Sequence, residues 1–222
     1  MEIKHNDNNF DEFEKYEALS DKDIFTKIWL EPRRIFKYIN DKEYEKYFYI
    51  LLFFAGMVRA FDRASLKNMG EQTSLFVIIA SCVLIGGFLG WISYYIYAAL
   101  LSWTGKWLGG IGNTSSLYRI IVYAMIPSIL SLIFLILEIA IYGNDVFKDN
   151  SDLVNSGIVG NTIFWLSIIF EFSLSIVTFV FMVIGVSEVQ KFSLGKAFLN
   201  LLLPLLVFIV PILLFVMIFS LI

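Results

Sequence analysis

The chain has 222 residues, 58% of them hydrophobic and 17% charged, with a formal net charge of −3 and a mean hydropathy of +0.74. Soluble domains average about 45–50% apolar and about 25% charged residues, so an ordinary globular enzyme is excluded. The small net charge argues against a nucleic-acid partner. The single cysteine, Cys82, lies in an apolar run, and the single histidine, His5, in a polar tail. That arithmetic excludes an internal disulfide and a His/Cys metal site, and no cofactor is expected. Repeated apolar runs of about 20 residues suit helices crossing about 30 Å of hydrocarbon, which predicts an all-α polytopic membrane protein.

Residues 1–19 are polar and acidic and are expected to form a disordered tail. Phe10, Phe13 and Tyr16 recur at spacing three, which leaves open a short partner-binding helix. No basic n-region leads into an apolar h-region, so the first transmembrane helix is expected to direct insertion. At residues 20–46 the pattern becomes amphipathic. Ser20 and Asp23 resemble a capping box, and Ile24, Ile28, Ile35, Phe36 and Ile39 recur at helical intervals, interrupted by Pro32. Arg33, Arg34 and Lys37 flank this apolar face together with Trp29. Such a segment lies either in the headgroup interface or against the protein's own bundle.

Five transmembrane helices follow, at about 47–64, 75–104, 117–142, 161–185 and 198–222. The second contains Gly86 and Gly90 as GxxxG, a spacing that permits close helix approach, either to a second copy of the chain or within the fold. Pro127, Pro204 and Pro211 interrupt the third and fifth spans, as simple kinks or as the broken helices that transporters use. Lys and Arg counted near the spans set orientation. With the N-terminus inside, the inner side receives Arg33, Arg34, Lys37, Lys42, Lys46, Lys106, Arg119, Lys191 and Lys196, and the outer side only Arg63, Lys67 and Lys148. The expected topology is N-in, C-out.

Arg59, Glu138 and Glu171 fall inside the spans, where charges are expensive and usually paired. At about 1.5 Å per residue, Arg59 and Glu171 reach similar depth, so an Arg59–Glu171 pair is expected, with Arg63 and Glu138 as a second. The pair either fixes helix register or Glu171 relays a proton or ion.

The run LGGIGNT at 108–114 has the look of a phosphate cradle but lacks the Lys after its last Gly and the preceding strand. It reads instead as a turn at the inner membrane face, with Thr114 or Ser115 capping the next helix and Arg119 among lipid phosphates. Between the last two spans, Ser187, Glu188, Gln190, Lys191, Ser193, Gly195 and Lys196 form a polar hinge, either a structural hairpin or a recognition loop. Gly195 is expected to allow the turn into the final helix.

Three stretches together carry a resemblance: IWLEPRR in the entry segment, LGGIGNT through the YAMIP that ends at Pro127, and GVSEVQKFSLGKA at 185–197. Gly109, Gly110, Gly112, Pro127, Ser187, Glu188, Gln190, Ser193, Gly195 and Lys196 mark it. The chain resembles the bacterial branch of the Yip-type family, membrane proteins related to the eukaryotic Ypt/Rab-GTPase-interacting proteins. The resemblance implies a protein of the bacterial inner membrane without known catalytic residues. Eukaryotic relatives bind small GTPases through a longer N-terminal region, and this short acidic tail departs from them. The expected function is a non-enzymatic scaffold or adaptor that organises lipid or protein partners, or copies of itself, from its cytoplasmic face. The alternative is a small channel or transporter using Glu171, Arg59 and proline-broken helices.

Overall fold

The computed structural model describes residues 19–149 and 157–220, with the backbone alone at 208, 210–215 and 218–220. The acidic tail with Phe10, Phe13 and Tyr16 lies outside the described residues. Among those described, every regular element is helical.

The entry segment forms two helices. In α1 (Asp21–Lys27) the Ser20 hydroxyl accepts the Asp23 N–H at 3.2 Å, and the Asp23 carboxylate accepts the Ser20 N–H at 3.0 Å, completing the capping box. Pro32 then opens α2 (Pro32–Asp41), since proline's missing N–H is tolerated only in a first turn. Ile24, Ile28, Ile35, Phe36 and Ile39 are all fully buried. This decides between the two readings of the apolar face: it packs on the protein's own bundle, where the Phe36 ring meets Phe181 edge-on at 5.8 Å. Trp29 and Leu30, in the connection, stay exposed, Leu30 at 86%.

Helix α3 (Phe48–Leu66) is 19 residues long and carries Arg59, Asp62 and Arg63 in its second half. Among the described residues, three helical stretches are long and apolar enough to cross a membrane: Leu75–Trp107, Thr114–Phe147 and Gly157–Gln190. The first is α4, which contains a π turn at Cys82–Gly86. The second divides into α5 (Thr114–Ala124) and α6 (Ile126–Tyr142), which ends in a 3-10 turn at Gly143–Phe147. The third is α7. A last helix, α8 (Leu194–Ser220), includes a shorter apolar stretch at Leu194–Val207.

The break between α5 and α6 at Met125 lies two residues before Pro127, whose ring cannot continue the hydrogen-bond ladder. Pro204 and Pro211, by contrast, lie within a continuous α8. Among the described residues, then, Pro127 lies at a helix break, and Pro204 and Pro211 do not, in keeping with the simple-kink reading for those two. The cap of α5 is also not Thr114 or Ser115. Asn113 provides it, its side-chain oxygen accepting the Ser116 N–H at 2.8 Å.

Helix α3 crosses α4, α6 runs along α7, and α2 lies across α5 and α7. The crossing of α3 and α4 uses the GxxxG pair: a Cβ on Gly56 would sit 2.3 Å from the Gly86 carbonyl oxygen and 3.2 Å from the Gly90 Cα. The motif thus serves close approach inside one chain. Two cores result. The larger joins the entry helices to α5 and the adjoining halves of α4 and α7. The smaller gathers Phe61, Ala64, Ile78, Cys82, Val146 and Phe147 at the other end.

A Gly56→Leu substitution should cost at least about 1–3 kcal/mol, the usual penalty of overpacking, because backbone and not a flexible side chain opposes the new atoms. Gly195→Ala, where an added Cβ meets nothing within 4 Å, should leave stability unchanged or slightly raised. Thermal unfolding of both variants in detergent micelles measures the difference.

Candidate functional site

Residues 108–114 and 185–197, distant in sequence, meet at the entry-helix end of the bundle. Helix α4 ends with Gly109 at φ +85°, where its N–H donates to the Lys106 carbonyl at 3.1 Å and the Gly110 N–H to the Gly105 carbonyl at 2.9 Å. This is a Schellman cap, which glycine adopts at little cost. Helix α7 ends the same way on Lys191, at φ +57°, with the Phe192 N–H donating to the Ser187 carbonyl at 3.0 Å. The turn toward α8 is therefore made by Lys191. Gly195, expected to make it, lies inside the first turn of α8.

Gln190, 1% exposed, fastens the two loops together. Its Oε1 accepts the Gly112 N–H at 2.9 Å, and its Nε2 donates to the Leu101 carbonyl at 3.1 Å. Asn200 on α8, fully buried, donates to the same carbonyl at 3.2 Å and accepts the Thr104 hydroxyl at 3.0 Å. Ser102 donates to the Gly112 carbonyl at 3.1 Å, Ser187 to the Phe192 carbonyl at 2.7 Å, and Lys196 to the Leu108 carbonyl at 3.3 Å. Ser193 accepts the Lys196 N–H at 3.4 Å and starts α8. The glycines make room for this amide. A Cβ at Gly105 would lie 2.0 Å from Gln190 Nε2, and one at Gly110 2.3 Å from its Oε1. What resembles a phosphate cradle is a socket for a glutamine.

The entry segment is tied to the same joint. Arg33 Nε lies 2.7 Å from Glu188 Oε1, which links the PRR element to the end of α7. Gly185 admits the Ile120 side chain beside Phe36: an added Cβ would stand 2.2 Å from the Ile120 methyl. Arg119 does not sit among lipid phosphates as expected. It is 4% exposed, and its Nε and Nη2 donate to Glu45 at 3.1 and 2.9 Å. Asp21 accepts the Tyr44 hydroxyl at 2.7 Å, the Tyr47 hydroxyl at 3.2 Å and the Lys46 ammonium. The Lys46 and Tyr44 hydrogen bonds hold its carboxyl below the ordinary range. Burial and then the Asp21 charge push the Tyr44 hydroxyl up.

The charges expected within the spans separate by helix face. Arg59 and Arg63 line a groove between α3 and α4 with Gly56, Gly86 and Gly90. Glu171 and Glu138 instead line a cavity of about 90 Å³ with Asp62, Ser65 and Ser131. Neither expected pair, Arg59–Glu171 or Arg63–Glu138, is among the ion pairs of the described residues. Depth along a helix fixes one coordinate, and the facing direction, set by packing, fixes the other. Sequence reasoning missed Asp62, Asn200, Glu45 and Asp21. Asp62 and Asn200 each carried a signal as a polar residue among apolar neighbours.

Helices of membrane-crossing length, with their polar groups gathered into sealed interhelical joints, define a helical integral membrane protein. The family model of the Yip1 domain matches residues 26–215, and the chain belongs to this family. No curated protein and no solved structure matches it.

Gln190→Leu should destabilise the protein by about 1–3 kcal/mol, since it strands the buried Gly112 N–H. Glu188→Gln, which weakens a pair whose Arg33 side chain is 62% exposed, should cost less than about 1 kcal/mol. Chemical denaturation in micelles ranks the two. The Ser20 and Lys27 hydrogen bonds lower the Asp23 carboxyl from 3.8 to about 2. A depressed carboxyl stabilises the fold above its unfolded value, and that contribution is lost as pH falls through the folded one. The α1 cap should therefore open between about pH 4 and 2, and the amide shifts of Asp23 and Ile24 report it.

Proposed function

We propose that the protein is a non-enzymatic scaffold or adaptor of a bacterial inner membrane, working from a cytoplasmic face built of α1, α2 and the two inner loops. In this reading α3, α4, the kinked α5–α6 pair, α7 and α8 are five spans, and the N-terminus is inside. The excess of Lys and Arg on the side of the entry helices supports that orientation.

The observation that carries the reading is the sealed joint itself. Gln190, Asn200 and Glu188 bond to neighbouring elements, and Arg119 bonds Glu45 through Nε and Nη2. The face is thus preformed and presents exposed Trp29 and Leu30 beside Arg33 and Arg34. A partner, protein or lipid, would meet a rigid surface at low ordering cost. A homo-oligomer would use a face other than GxxxG, which Gly56 occupies.

The cavity containing Asp62, Glu138 and Glu171 is the one feature that favours a small channel or transporter. That reading has less support, because Arg59 faces elsewhere and, among the described residues, Pro204 and Pro211 lie inside a continuous helix. Proteoliposome flux that disappears in Glu171→Gln would favour it.

A photocrosslinking amino acid in place of Leu30 should give one discrete protein adduct in intact cells. The same substitution at Leu66, 85% exposed at the opposite end, should not. Lipid adducts alone at both positions would sink the scaffold reading.

A further inference from the structure

The groove between α3 and α4, at the end opposite the joint, has a volume of about 340 Å³. Its floor is Gly56, Gly86 and Gly90, and Arg59 and Arg63 stand along one wall. Ile85 and Leu89, 60% and 54% exposed, form an apolar flank. The π turn at Cys82–Gly86 runs past this floor, and such turns recur at functional sites.

The charge balance of the groove sets it apart. Arg33, Arg34 and Arg119 each face a carboxylate: Glu188 at 2.7 Å, Glu31 at 2.8 Å and Glu45 at 2.9 Å. Among the described residues neither Arg59 nor Arg63 has an ion pair. The Arg59 guanidinium meets only the Tyr94 ring, 5.8 Å from its centroid. Asp62, between them in sequence, lines the cavity on another face of the helix.

Arginines four apart stand about 5–6 Å from each other on one helix face, so both forks reach a single phosphate. Two cations without an ion pair, set beside apolar surface and against the membrane-crossing α4, are stabilised when an anion joins them. A ligand that supplies both negative charge and hydrocarbon is an anionic phospholipid. We propose that this groove is a binding site for one anionic phospholipid, its phosphate held between Arg59 and Arg63 and an acyl chain lying along Ile85 and Leu89. The site is separate from the cytoplasmic face and does not depend on a scaffold role.

Native mass spectrometry of the full chain in detergent tests this, with phosphatidylglycerol and phosphatidylcholine added at equal concentration. One phosphatidylglycerol should bind at least about tenfold more tightly than phosphatidylcholine, given about 1 kcal/mol per basic residue. The preference should vanish in the double variant Arg59→Gln/Arg63→Gln and largely survive in Arg59→Lys/Arg63→Lys. Leu89→Trp, which fills the flank without touching charge, should weaken both lipids. Equal binding of the two lipids by the unsubstituted protein overturns the proposal whether or not the variants fold. Displacement by millimolar inorganic phosphate would instead make the ligand a free anion. A dimer that Leu89→Trp dissociates would make it a second copy of the chain.

Discussion

One buried side-chain amide organises the entry-helix end of this protein. Gln190 makes two hydrogen bonds: it accepts the Gly112 N–H, which would otherwise be stranded past the end of a long helix, and it shares the Leu101 carbonyl with Asn200. An unpaired buried N–H costs about 1–3 kcal/mol, so the loop at 108–113 and the end of α7 are energetically bound to each other. The three glycines at 105, 110 and 112 follow from that amide, because any Cβ there would occupy its space. Asn200 extends the network to α8, and Glu188 extends it through Arg33 to the entry helix. Four elements are thereby fixed by polar contacts within a largely apolar fold.

Membrane-crossing helices gain little from the hydrophobic effect against one another, since lipid tails are as apolar as leucine. Their arrangement must come from close packing and from directed polar contacts. The protein uses the first device at one end and the second at the other. At the far end Gly56 presses on Gly86 and Gly90, backbone against backbone. At the near end the glutamine socket and the Arg119–Glu45 bond do the same work with hydrogen bonds. The Yip1-domain match, over residues 26–215, covers both ends.

The charges expected within the spans show why one-dimensional reasoning stops where it does. Residue counting gives Arg59 and Glu171 a similar expected depth, which makes them look like partners. In the folded chain Arg59 faces the glycine groove and Glu171 faces a cavity shared with Asp62 and Glu138. The protein thus keeps cations and carboxylates on different faces of α3. That separation gives the groove its affinity for an anion in our lipid proposal.

Sequence by itself determined the class, the entry helices and the family. Hydrophobic run length, a capping box and a proline at a helix start are local signals, and local physics decides them. It also placed the turn at 108–113, because glycine and Asn-Thr chemistry ends and starts helices without help from afar. Only the tertiary structure decided which way each helix faces: that the entry helices bury their apolar side on the bundle, that GxxxG meets Gly56, that Arg119 finds Glu45, and that Arg59 does not meet Glu171. Rotation about a helix axis is set by the sum of contacts with all neighbours, and no single stretch of sequence contains that sum.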